Sequence, residues 1–116
     1  MDNTIEVRCI KKLFKKVKYS KKSYLKTQIQ AFYLDLVDYL LLNNINVLIT
    51  DTSRLEEEGM CLIDLSAASE ELYFVLCEFN FQSNSFKFYD FKNNKSFYSS
   101  KEVINSLSNT KCLLVF

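Results

Sequence analysis

An aspartate followed, one strand later, by an acid-x-Lys triplet is how many metal-dependent nucleases hold Mg²⁺ and position water. Asp64 and Asp90-Phe91-Lys92 have that order. In this reading Asp64 and Asp90 would be the metal ligands and Lys92 would position or activate the water. The competing reading is that these are charged hairpin ends facing solvent, since such an order arises readily in a chain with 25% charged residues. Glu56-Glu57-Glu58 offers further carboxylates. Three consecutive side chains splay around a helix or alternate on a strand, so the run reads as solvated charge.

Other chemistries are excluded by composition. The chain has no histidine, which removes the Ser-His-Asp triad, the Cys-His dyad and any imidazole metal site. A single glycine, Gly59, rules out a P-loop or a GxGxxG cradle for nucleotides. The four cysteines (Cys9, Cys61, Cys77 and Cys112) form no CxxC and have apolar neighbours. They read as buried free thiols in a reducing compartment. The balance favours a protein without enzymatic activity or cofactor.

The elements that must position any site begin with a helix, expected over roughly 22–43. Leu25, Ile29, Phe32, Leu36 and Leu40 form its inner stripe, widened by Tyr33, Val37 and Tyr39. Leu34, Leu41 and Leu42 fall on the far side and need a cover: the N-terminal segment, a second copy or a partner. Asn43-Asn44 is the expected stop, because asparagine tolerates the left-handed conformation that ends helices.

Ahead of this helix the chain is basic. Residues 1–30 hold nine Lys/Arg against Asp2 and Glu6, a net charge of +7; the rest hold six against twelve acids, a net charge of −6. The overall +1 conceals this asymmetry. Ile5, Val7 and Cys9 alternate as a strand start would. From Ile10 the pattern turns helical, with Leu13, Phe14 and Val17 on one face and Lys11, Lys12, Lys15, Lys16 and Lys18 on the others. Lys11–Lys26, Lys22 included, could meet nucleic acid, an anionic membrane or an acidic partner, or be a solvated helix face.

Downstream, short strands are expected at Ile45–Ile49 and Met60–Leu65, joined by a polar connection in which Ser53 and Glu56 form a weak capping box. SAASEE reads as a turn. Residues 72–81 read as a strand from their aromatic and β-branched content, although a helix from Ser69 also fits. A hairpin follows, turning at Asn93-Asn94, where two asparagines could supply positive φ. A short helix over Ser99–Ser108, with a Ser99-x-x-Glu102 capping box, and a last strand, Lys111–Phe116, complete the chain. The segment FKFYDFKNNKSFYSSKEVINSL is similar to the hairpin-then-helix unit of methyl-CpG-binding and related DNA-binding domains, over about a fifth of the chain. It lacks their glycine turn and arginines, so no residue role is carried across. Its aromatics could stack bases, but core packing explains them better.

With 116 residues, 48% of them hydrophobic and 15% aromatic, the chain can fill one core. The expected fold is α+β: a single two-layer domain, residues 1–116. One long and one short helix, and the basic amphipathic segment, pack on a mostly antiparallel sheet of roughly four to six strands. No signal peptide and no membrane span is read, so the protein is expected to be intracellular, in the cytoplasm or an equivalent compartment. Abundant Asn, Lys, Ile, Ser, Phe and Tyr, all with AT-rich codons, suggest a low-GC genome. The expected function is a small interaction factor, viral or from a mobile element, that modulates or inhibits a host protein. Its partner would be a protein or a second copy, with Lys11, Lys12, Lys15, Lys16, Lys18, Lys22, Leu34 and Leu41 as candidate contacts. Nucleic-acid binding and the nuclease are the alternatives.

Overall fold

The computed structural model describes residues 8, 10–12, 15, 29–70, 73–107 and 110–116. The protein is α+β, and its backbone contacts divide it into two compact units, Met1–Val47 and Leu48–Phe116.

In the first unit, Arg8, Ile10, Lys11, Lys12 and Lys15 have helical backbone, so the helix is already under way at Arg8, where a strand was expected. Ile5, Val7 and Cys9 lie outside the described residues. Helix α1 covers Ile29–Leu42. Its inner stripe is as the periodicity requires: Phe32, Tyr33, Leu36 and Leu40 are buried. Leu25 is not described. The helix stops in a Schellman motif. Asn44 takes a φ of 61°, the Ile45 N–H donates to the Leu40 carbonyl and the Asn44 N–H to that of Leu41. Ile45 and Leu40 are both buried, supplying the apolar contact that goes with this cap. Ile45 therefore belongs to the helix end, and strand β1 starts two residues later than expected, at Val47–Asp51.

The sheet has five further strands: β2 Glu58–Asp64, β3 Phe74–Asn80, β4 Ser85–Asp90, β5 Lys95–Ser99 and β6 Lys111–Val115. Their order is β1-β6-β2-β3-β4-β5, with β6 inserted between β1 and β2. The pairs β2–β3, β2–β6, β3–β4 and β4–β5 are antiparallel. Where β1 ends and β6 begins, the Thr52 N–H donates to the Thr110 carbonyl at 2.9 Å, which sets β1 antiparallel too. Where residues 72–81 could have been strand or helix, Phe74–Asn80 is strand β3, because Val75, Cys77 and Phe79 bury one face while Phe74 and Leu76 bury the other.

Cys61, Ile63, Val75, Cys77, Phe86, Phe88 and Cys112 form the core on one face of the sheet. Ile104 of helix α2, Lys101–Ser106, closes over it together with Leu55. The α2 cap differs from the expected box. Ser100 is the N-cap and its hydroxyl donates to Glu102, while the first helical N–H, from Lys101, is held by the Asn84 side chain at 3.0 Å. Likewise the turn at Thr52–Arg54 is capped by Asp51, which accepts from the Ser53 N–H, and not by Ser53.

Gly59 lies inside β2 and not in a loop. It pairs with Phe79, whose ring reaches within 3.1 Å of where a Cβ would stand, so the aromatic covers the glycine. Just before it, Glu57 has a φ of 61° and its carbonyl accepts from the Phe81 N–H at 2.8 Å. A left-handed residue with a Cβ costs about 1–2 kcal/mol, part of which glycine returns to unfolded-state entropy. Glu57→Gly is therefore expected to raise stability by about 0.5–1 kcal/mol, read as a higher urea midpoint at unchanged slope.

Candidate functional site

Asp64 and Asp90 are not brought together. Asp64 pairs with Phe74 on β3, and Asp90 pairs with the next residue, Val75. Strand alternation therefore sends the two carboxylates to opposite faces of the sheet. Among the described residues no group of three or more Cys, Asp or Glu is arranged to hold a metal ion. Asp64 accepts from the Ser66 N–H at 2.9 Å and starts the turn at Ser66–Ala68.

Asp90 is buried at the mouth of the β4–β5 turn. Its Oδ2 accepts from the Tyr73 hydroxyl at 2.8 Å and from Asn93 Nδ2 at 2.7 Å; its Oδ1 accepts from the N–H groups of Lys92 and Asn93 at 2.9 and 3.3 Å. Burial pushes this carboxyl up, but the donors outweigh burial and hold it below the usual carboxylate range. Burial and the bond to Asp90 push the Tyr73 phenol up. The Lys92 ammonium sits 5.4 Å from the Tyr73 ring centre. Together with Ala68, Ser69 and Glu70, these two side chains line a shallow open cleft. With four donors satisfying it, Asp90 works as the keystone of a turn.

That turn has a twin. Asn80 opens the β3–β4 turn by accepting from the Ser83 N–H, and Asn84 closes it with a φ of 53°. Asp90 opens the β4–β5 turn and Asn94 closes it at the same φ. The sequence carries this as Asn80-Phe81-x-x-Asn84 and Asp90-Phe91-x-x-Asn94, a repeat of ten residues that the expected Asn93-Asn94 turn overlooked. Only Asn94 of that pair is left-handed.

Of the basic segment, Arg8, Lys12 and Lys15 are exposed, Lys11 is half-buried and Ile10 is buried. Spaced i, i+4, i+7, Arg8, Lys12 and Lys15 share one helix face. Lys16, Lys18 and Lys22 lie outside the described residues.

The far side of α1 is more distinctive. Leu34, Leu41 and Leu42 are 61%, 51% and 80% exposed. At 100° per residue they fall, with exposed Ala31 and Asp38, on one arc opposite the buried stripe. Scattered exposed leucines are ordinary, but these three share one face, with Asp38 between Leu34 and the Leu41-Leu42 pair.

Cys61, Cys77 and Cys112 are free and buried on adjacent strands, with Cys61 directly opposite Cys77. Hydrogen bonds with Cys112 and Cys77, and burial, push the Cys61 thiol well above its ordinary value, so its thiolate is suppressed. Cys9 lies outside the described residues.

Comparison with family models, with curated proteins and with solved structures returns no match. Among the described residues no helix is long and apolar enough to cross a membrane.

Proposed function

We propose that this protein is a small non-enzymatic interaction factor, viral or from a mobile element, that acts inside the cell by binding a host protein and modulating or inhibiting it. The observation that supports this reading is the outer face of α1, where Leu34, Leu41 and Leu42 stand exposed beside Asp38. Anchors at i, i+7 and i+8 suit a helix laid into an apolar groove of a partner. Fully burying a leucine side chain contributes about 1.5–3 kcal/mol, roughly tenfold or more in affinity. A pull-down from the native cell is expected to retain one partner with the wild-type chain. Leu34→Lys with Leu41→Lys should release it at unchanged thermal midpoint. A partner held equally well by that variant would remove the reading.

A second reading, nucleic-acid binding, rests on the Arg8, Lys12 and Lys15 face. It requires binding that weakens steeply with salt, and each lysine changed to glutamine should lower the salt slope by about 1. Absence of any electrophoretic shift at low salt would end it.

A further inference from the structure

The two edges of the sheet, among the described residues, are β1 and β5. They differ in charge. β5 also exposes aromatic side chains on both faces, Phe97 and Tyr98, but it begins with exposed Lys95, a charge of the kind that keeps an edge from pairing. β1 reads Val47-Leu48-Ile49-Thr50-Asp51 and carries no charge before its last residue. Leu48 and Ile49 are consecutive, so they point to opposite faces, yet they are 52% and 49% exposed. An edge that is apolar on both faces and uncharged is the kind natural sheets normally protect.

Part of the backbone of this edge faces away from β6. The Thr52 N–H points at β6, where it meets the Thr110 carbonyl. Asp51 is extended, so alternation along the strand turns the N–H and C=O of Ile49 away from β6. An incoming strand would need apolar side chains on both faces to cover Leu48 and Ile49. It would also need to bring no carboxylate opposite Asp51.

We infer that the occupant is a second copy of this chain, with β1 pairing antiparallel to β1 about a two-fold axis at Ile49. This register is the longest that a symmetric pair of five-residue strands allows. It sets Ile49 against Ile49, Leu48 against Thr50, and Val47 against Asp51. No like charges face each other, and Asp51 is already held within its own chain by the Ser53 N–H and, at 3.8 Å, by Arg54. Ile49 is covered by its own copy on one face and Leu48 lies against the Thr50 methyl on the other, and an isologous contact of this kind closes at the dimer.

Analytical ultracentrifugation of the full chain across the micromolar range tests this. The wild type is expected to show a monomer–dimer equilibrium. Ile49→Lys places two ammonium groups opposite each other at the axis and should weaken the dimer by about tenfold or more, as should Ile49→Glu. Because residue 49 faces its own copy, mixing the lysine and glutamate variants should restore dimers, as heterodimers. Circular dichroism of each dilute variant should match the wild type. If a charged variant does not fold, Ile49→Thr, which keeps the β-branch but sheds apolar area, should still weaken the dimer severalfold. A wild type that stays monomeric at the highest concentration overturns the inference. So do a dimer that tolerates Ile49→Lys, a mixture that fails to restore association, and open-ended aggregation in place of a dimer.

Discussion

Phe88→Ala is expected to lower the unfolding free energy by about 4 kcal/mol, as deletion of a buried phenylalanine generally costs 3–5. Phe88 is buried at the centre of β4, paired with Cys77 on one side and Phe97 on the other. Its ring stacks on Phe97 at 5.2 Å between centres. Its removal leaves a cavity beneath α2 in a core already committed to small thiols at Cys61, Cys77 and Cys112. Those thiols cannot expand to fill it. Phe88→Leu should keep most of the stability, and Phe97→Ala, at an exposed edge position, should cost under about 1.5 kcal/mol. Urea titration with circular dichroism separates the three. Equal loss at positions 88 and 97 would mean that the core is not centred on β4.

Asp90→Ala is the second large effect, about 3 kcal/mol, and it comes from a buried carboxylate at a turn beside the core. Four donors converge on the carboxylate, and hydrogen bonds to a charged group contribute about 1.5–3 kcal/mol where a neutral one gives about 1. Truncation leaves the Tyr73 hydroxyl and the Asn93 amide without their acceptor. A loss of that size lowers the thermal midpoint of a domain this small by about 10–15 °C. Tyr73→Phe removes one donor and should cost about 1 kcal/mol. The pH dependence has a definite sign. Asp90 titrates lower in the folded protein than in the unfolded chain, so its contribution is fully present above the unfolded value of about 3.9. It is lost as pH falls through the folded value. The wild type should therefore lose stability below about pH 4 more steeply than Asp90→Asn, which carries no charge to titrate.

Much of this architecture is legible in the residues, and what is not legible has a common cause. The inner stripe of α1 and its asparagine stop follow from local periodicity and from the left-handed preference of Asn44. The strand at Phe74–Asn80 follows from β-branched and aromatic content. The caps are misread by one or two residues. At Lys101 the deciding acceptor, Asn84, comes from seventeen residues away. Asp64 and Asp90 suggest a metal pair because their order along the chain fits. Only the β2–β3–β4 register shows that they face opposite ways. The insertion of β6 between β1 and β2 is equally silent, because that pairing joins segments about sixty residues apart and no local pattern encodes it. The far-side position of Leu34, Leu41 and Leu42 is legible from the helical period, and all three are exposed.

The central claim, that the outer face of α1 binds a partner protein, is tested most directly by site-specific photo-crosslinking in the native cell. A benzophenone side chain placed in turn at Leu34, Lys12 and Gln82 samples the leucine face, the basic face and an exposed hairpin turn. The expected result is a discrete adduct with one host protein from position 34 and none from positions 12 or 82. Adducts confined to position 12, or no adduct from position 34 while the wild-type chain is folded and abundant, would contradict it.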